Sequence, residues 1–88
     1  MKKVSVLGAT GSVGVNTLKI IARNKKKYNV IALTSYKNYK KLAKLAIMFN
    51  CKYAVIGKKE YFKNLKEELF GRNIKFGDVI AGAADAIN

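Results

Sequence analysis

Three glycines near the amino terminus have the spacing of a phosphate-binding turn. Gly8, Gly11 and Gly14 lie three residues apart, directly after a short apolar segment and at the start of a segment with helical spacing. Glycines in this context permit a tight turn, let the backbone approach a pyrophosphate and allow a helix to pack closely on a strand. The N–H groups at the helix start favour a phosphate there, and Thr10 and Ser12 add hydroxyl donors. The motif predicts a nucleotide site, although a glycine triplet by itself can also mark an ordinary loop.

The end of the second apolar segment indicates which nucleotide this turn would bind. Folds that bind NAD usually place an Asp or Glu about 20 residues after the glycines, where it holds the ribose 2′-hydroxyl. Here residues 34–38 are Thr-Ser-Tyr-Lys-Asn, with no acid and one lysine, Lys37. A carboxylate would repel a 2′-phosphate whereas Lys37 would attract it, so the sequence favours NADPH over NADH. The alternative is that Lys37 is one more exposed lysine among the sixteen in the chain.

Alternating strand and helix patterns position these residues. Short apolar segments predict strands at 3–7, 28–34, 52–56 and about 76–80. Helical spacing predicts a first helix from Ser12 to about Asn24, a second along the apolar stripe 42–49 and a third along 62–69. Asn38 is a good N-cap for the second helix, and Gly71 can end the third in the left-handed conformation.

This alternation predicts an α/β fold: a Rossmann-like parallel sheet with right-handed crossovers and helices on both faces. The order β-α-β-α-β forms one mononucleotide-binding half, whose ligand crevice lies at the carboxyl ends of the strands. The sheet would be incomplete, with about four strands, and residues 83–88 have the composition of another helix start. We therefore expect the chain to be a piece of a larger protein.

Composition and charge exclude several classes of protein. Half of the 88 residues are hydrophobic, which is typical of a globular domain, and with no histidine and one cysteine, Cys51, a zinc site or an internal disulfide is excluded. The net charge is +13, and all five acids follow position 59. Such a basic block could bind nucleic acid, but lysines on solvated faces explain it, so we expect no nucleic-acid partner. No apolar segment suits a membrane span or a signal peptide, so we expect a cytoplasmic protein without a membrane partner.

Beyond the glycine turn, the sequence resembles the amino-terminal end of the 1-deoxy-D-xylulose 5-phosphate reductoisomerases. The resemblance rests on residues 7–14, 17–18, 28–33, 37–38 and 52–55, together with Leu42 and Phe49. The glycine turn also opens the semialdehyde dehydrogenases, but the later run from Lys37 to Val55 resembles only the reductoisomerases. Two alternatives stay open: the cofactor domain of a semialdehyde-dehydrogenase-like enzyme, and a small basic nucleotide- or nucleic-acid-binding module without catalysis.

The resemblance implies that residues 1–88 are the amino-terminal portion of an NADPH-binding Rossmann domain, with the catalytic and carboxy-terminal domains absent from this chain. Members of the family rearrange a phosphorylated sugar, 1-deoxy-D-xylulose 5-phosphate, and reduce the product with NADPH to 2-C-methyl-D-erythritol 4-phosphate, in non-mevalonate isoprenoid biosynthesis. The resemblance also implies a homodimer and a divalent metal, Mg or Mn, bound beyond Asn88. We therefore expect no catalytic residue and no metal ligand in the chain, which alone should be inactive.

The resemblance also assigns residues to the two ends of the cofactor. Thr10, Gly11, Ser12 and Val13 match the pyrophosphate end, between Gly8 and Gly14 of the turn, and Lys37 and Asn38 match the adenosine 2′-phosphate end. Tyr36 departs from the family, which commonly has Gly there, and a tyrosine either stacks near the adenine or partly blocks its site. The semialdehyde dehydrogenases have their nucleophilic cysteine much further along the chain, so we expect Cys51 to be a small, partly buried thiol.

Overall fold

The structure, a computed structural model, describes residues 2–78. The elements are β1 (Lys2–Val6), α1 (Ser12–Arg23), β2 (Tyr28–Ser35), α2 (Tyr39–Phe49), β3 (Tyr53–Ile56), α3 (Phe62–Glu68) and β4 (Lys75–Asp78), with a 3₁₀ turn at Lys59–Tyr61. The predicted elements are confirmed, with most ends displaced by a single residue. Positions 79–80 of the fourth predicted strand and the predicted helix start at 83–88 lie outside the described residues. None of these helices is long and apolar enough to cross a bilayer.

The four strands form one parallel sheet in the order β1-β2-β3-β4. This arrangement confirms the predicted α/β class and the incomplete four-stranded sheet. Each helix connects one strand to its neighbour, and the order always advances in the same direction. Because such crossovers are right-handed, α1, α2 and α3 all lie over the same face of the sheet.

A single buried cluster joins the three helices to that face. The strands contribute Val6, Leu33 and Ala54, which lie beside one another in register. The helices contribute Leu18 and Ile21 from α1, Leu42 and Ala46 from α2, and Leu65 from α3. Within residues 2–78 the helices therefore cover one face, and the second helical layer that the sequence predicts would have to come from outside this range.

A bulge in β2 sets which side chains reach the core at its carboxyl end. Val4 pairs with Val30 but the next residue, Ser5, pairs with Ala32, so Ile31 is an extra residue in β2. Beyond a bulge the alternation of side chains is reversed. Val30 and Leu33 consequently point to the same helical face, and the strand ends with a buried Ser35 on that side.

Candidate functional site

The turn between β1 and α1 contains three glycines that are needed for different reasons. Gly8 has a φ of +64°, in the left-handed region where other residues are strained. Gly14 lies within α1, where a Cβ would overlap the carbonyl oxygen of Gly8 and lie 2.7 Å from the Cα of Ala9. At Gly11 a Cβ would meet just the Gly8 carbonyl oxygen, at an ordinary 3.5 Å. The fold therefore requires Gly8 and Gly14, whereas the bare backbone at Gly11 leaves room for a ligand.

The end of β2 holds this turn in place through hydrogen bonds. The Gly8 N–H donates to Thr34 Oγ1 at 2.9 Å, and the Ala9 N–H donates to the Thr34 carbonyl oxygen at 2.7 Å. The hydroxyls of Thr10 and Ser35 share a further hydrogen bond of 2.7 Å. Sequence reasoning missed Thr34 and Ser35, although two hydroxyl residues that close an apolar strand beside a glycine turn are a usable signal.

The start of α1 presents backbone N–H groups at the same end of the sheet. Gly11 is the N-cap and has no side chain with which to cap the helix, and the first turn contains no acid. The N–H groups of a helix start have no partners within the helix, and the helix dipole favours an anion there. Ser12 is exposed and Val13 is 79% exposed, as is much of Leu7 before the turn. These features suit a negatively charged phosphate group, whereas a site lined with carboxylates would repel it.

The second predicted segment, Tyr36 to Asn38, forms the connection between β2 and α2. Tyr36 and Lys37 are exposed. The Asn38 Oδ1 accepts a hydrogen bond of 3.3 Å from the Lys41 N–H, which confirms Asn38 as the N-cap of α2 and leaves its amide NH₂ free to donate.

Both predicted segments lie at one edge of the sheet, because they follow the carboxyl ends of two adjacent parallel strands. The hydrogen bond between Thr10 and Ser35 joins the glycine turn to the last residue of β2, which directly precedes the second segment. The structure therefore brings together all of the residues predicted to bind the cofactor, which are Gly8, Thr10, Gly11, Ser12, Val13, Gly14, Tyr36, Lys37 and Asn38. Their contact with a nucleotide stays a prediction.

Two lysines follow the carboxyl ends of β2 and β3, Lys37 and Lys58, and they differ in their pairing within residues 2–78. The Lys58 Nζ lies 2.8 Å from the Glu60 Oε1, and this hydrogen bond and the charge of Glu60 raise the pKa of Lys58. The same ammonium lies 5.9 Å from the centre of the Tyr61 ring. Within residues 2–78 no ion pair engages Lys37. Lys37 is therefore the lysine at the end of β2 that is free to bind a phosphate.

Cys51 is a structural thiol. Its side chain is 1% exposed, and its Sγ donates to the Tyr53 carbonyl oxygen at 3.2 Å. Burial raises the pKa of the thiol to about 11, so the nucleophilic thiolate is disfavoured at neutral pH. The structure thus agrees with the expected small thiol, which is more deeply buried than predicted. Among the residues that the structure describes, no group of three His, Cys, Asp or Glu side chains could hold a metal ion.

Several known proteins are similar to this chain in sequence. A model of the 1-deoxy-D-xylulose 5-phosphate reductoisomerase family matches residues 4–88. The 1-deoxy-D-xylulose 5-phosphate reductoisomerase of Wolbachia pipientis subsp. Culex pipiens is 47% identical over 75 residues, which cover 85% of this chain and 19% of that protein. The enzyme of the same name from Zymomonas mobilis subsp. mobilis is 45% identical over 86 residues, 98% of this chain and 21% of that protein. The chain thus spans about one fifth of the length of these relatives.

Solved structures agree with the sequence comparison. The structure of 1-deoxy-D-xylulose 5-phosphate reductoisomerase from Zymomonas mobilis in complex with NADPH matches 88% of this chain, and 20% of its own, with a TM-score of 0.85 and 45% identity. A DOX-P reductoisomerase in complex with NADPH, fosmidomycin and magnesium matches 98% of this chain, and 21% of its own, with a TM-score of 0.90 and 26% identity. The Rossmann-like fold class is thereby confirmed. Since the family match extends over residues 4–88 and the structural similarity over nearly the same range, the chain belongs to the 1-deoxy-D-xylulose 5-phosphate reductoisomerase family.

Proposed function

We propose that residues 1–88 form the amino-terminal portion of the NADPH-binding domain of an enzyme that rearranges and reduces 1-deoxy-D-xylulose 5-phosphate to 2-C-methyl-D-erythritol 4-phosphate, in non-mevalonate isoprenoid biosynthesis. One observation carries the proposal: the three-glycine turn and the Lys37 loop lie at the same end of adjacent strands, and the Thr10–Ser35 hydrogen bond joins the turn to the strand that leads into the loop. Family membership supports the activity, and two similar solved structures are complexes with NADPH.

Each end of the site would bind one part of the cofactor. The backbone of Gly11 and the N–H groups of Ser12 and Val13 would hold the pyrophosphate, because this stretch is uncapped and free of acids. A Thr10 hydroxyl that accepts from Ser35 keeps its own hydrogen for a phosphate oxygen. Lys37 and the Asn38 amide would hold the 2′-phosphate. Bound NADPH would supply the hydride for the reduction, and the residues of this chain would bind and orient the NADPH.

The remaining parts of the enzyme would lie outside these residues. The catalytic domain, the carboxy-terminal domain and the site for a divalent metal, Mg or Mn, belong in our proposal to the rest of the protein. A similar solved structure that contains magnesium supports the metal. The assembly of the full-length protein as a homodimer and its cytoplasmic location stay predictions, which light scattering after gel filtration and cell fractionation would test.

Neither alternative function is favoured. Against the cofactor domain of a semialdehyde-dehydrogenase-like enzyme, the reductoisomerase family model matches residues 4–88, and the similar proteins described above are reductoisomerases. A nucleic-acid-binding module would use the basic surface, but the family match covers the same residues and already accounts for the glycine turn.

NADPH oxidation by the purified full-length protein tests the proposal. With 1-deoxy-D-xylulose 5-phosphate and Mg²⁺, absorbance at 340 nm should fall and 2-C-methyl-D-erythritol 4-phosphate should appear by mass spectrometry. A chelator should stop the reaction, and added Mg²⁺ should restore it. A pure, folded protein that binds NADPH yet forms no product would contradict the proposed reaction.

A further inference from the structure

Tyr36 is seated against a glycine on the neighbouring strand. Gly57 directly follows β3, and a Cβ at that position would lie 2.8 Å from the Tyr36 Cδ1 and 3.2 Å from the Tyr36 Cα. The edge of the ring thus takes the space that any other residue at position 57 would need. Two hydrogen bonds fix the backbone around this contact. The Gly57 N–H donates to the Ser35 carbonyl oxygen at 2.7 Å, and the Lys58 N–H donates to the Tyr36 carbonyl oxygen at 2.6 Å.

This contact places the ring away from the glycine turn. The turn follows β1, whereas Gly57 follows β3, and these strands flank β2 on opposite sides. A ring that packs on Gly57 therefore leaves the space above Gly11 open. Tyr36 nevertheless remains 68% exposed, so most of the ring is available to a ligand.

The position of the ring matches the far end of a bound dinucleotide. A cofactor whose pyrophosphate lies at the end of β1 and whose ribose lies at the end of β2 directs its base toward the side of β3. Aromatic rings bind nucleobases by stacking, which needs an exposed ring surface held in a fixed place. Lys37 follows Tyr36 directly, so a cation for the 2′-phosphate and a ring for the base lie next to each other.

We propose that Tyr36, positioned by Gly57, stacks on the adenine of the cofactor and contributes to the affinity of this site. The inference rests on the proposed function, because it assumes a dinucleotide with a purine base at this edge. It decides between the two roles that the sequence left open for the tyrosine, stacking on the adenine or blocking it.

The test measures binding of the adenosine half alone, so that catalysis plays no part. Dissociation constants of 2′,5′-ADP and NADPH are determined by isothermal titration calorimetry with the full-length protein. Tyr36→Ala should weaken 2′,5′-ADP binding about tenfold, within the range found when aromatic rings under nucleobases are replaced. Tyr36→Phe, which keeps the ring, should bind as the unmodified protein does. Phe70→Ala serves as the control, because Phe70 is an 85% exposed aromatic residue between α3 and β4, at the opposite edge of the sheet.

A double-mutant cycle tests the part played by Gly57. Gly57→Ala should weaken 2′,5′-ADP binding severalfold by displacing the ring, but it should add little in a protein that already carries Tyr36→Ala. Unchanged or tighter binding by Tyr36→Ala, or an equal effect of Gly57→Ala in both backgrounds, would overturn the inference and leave the proposed function intact. An unmodified protein that binds neither NADPH nor 2′,5′-ADP would overturn both.

Discussion

The charge of Lys37 should decide which nicotinamide cofactor binds. We expect NADPH to bind more tightly than NADH, because Lys37 has no ion-pair partner within residues 2–78 and can bind the extra phosphate. Lys37→Asp replaces attraction by repulsion, so NADPH affinity should fall roughly 10- to 100-fold and the preference should be lost or inverted. Fluorescence titration of both cofactors gives the ratio of dissociation constants. Lys44→Asp, the same change on the exposed side of α2, should have little effect, and equal affinities in the unmodified protein would refute the prediction.

Gly11 and Gly14 should respond differently to substitution. Gly11→Val should leave the fold intact but reduce NADPH binding strongly, because a Cβ there meets one atom of the protein at 3.5 Å and projects two methyl groups toward the pyrophosphate. Gly14→Ala should instead destabilise the protein by about 1–3 kcal/mol or more, since its methyl group overlaps the Gly8 carbonyl oxygen. Circular dichroism with cofactor titration separates the two effects. Normal NADPH binding by a folded Gly11→Val protein would show that this turn does not hold the cofactor.

The buried Cys51 thiol should be unreactive in the native protein. Its pKa is raised from 9.0 to about 11 because burial disfavours the thiolate, so a thiol reagent such as Ellman's reagent should not modify it at pH 8. The folded state favours the protonated thiol more strongly than the unfolded state does. The stabilisation that results is fully present below pH 9 and is lost as the pH rises from 9 toward 11. In guanidinium chloride the Cys51→Ser protein should show one reactive thiol fewer than the unmodified protein. Under native conditions the two proteins should show the same number. A native-state difference would show that the thiol is accessible.

At the scale of single elements, Asn38 should have two separable roles. As the N-cap of α2 it contributes to stability, so Asn38→Ala should lower the free energy of unfolding by about 1 kcal/mol in urea denaturation. Asn38→Asp keeps an oxygen that can accept from the Lys41 N–H and should preserve that stability. The same aspartate adds a negative charge beside the proposed 2′-phosphate site and should weaken NADPH binding. Equal destabilisation by alanine and aspartate would contradict the capping role.

For the molecule as a whole, we expect residues 1–88 alone to be inactive and poorly folded. Within the described range the four-stranded sheet has helices on one face, and β1 and β4 have no partner strand on their outer sides. A chain of this size buries too little surface to tolerate such exposure easily. Expressed alone, it should aggregate or remain loosely packed and should oxidise no NADPH with 1-deoxy-D-xylulose 5-phosphate and a divalent metal. Turnover above a no-enzyme control would place the catalytic groups within these residues.

The sequence by itself determined the features that depend on neighbouring residues. Strand and helix positions followed from apolar periodicity, and the Asn38 cap and the left-handed Gly71 followed from local backbone preferences. The two loops of the candidate site could be placed at one edge because parallel strands share the direction of their carboxyl ends. Cys51 was expected to be partly buried, and the structure buries it almost completely.

The tertiary structure decided the features that depend on residues distant in the chain. It distinguished Gly14, which the fold requires, from Gly11, which it does not, and it showed that Thr34 and Ser35, about 25 residues away, hold the glycine turn. It also placed the Tyr36 ring against Gly57, and a bulge at Ile31 brought Leu33 to the same face as Val30. Periodicity describes which side of its own element a residue occupies. Strand order, register and close contact between loops are set by packing across the whole sheet, and no local pattern specifies them.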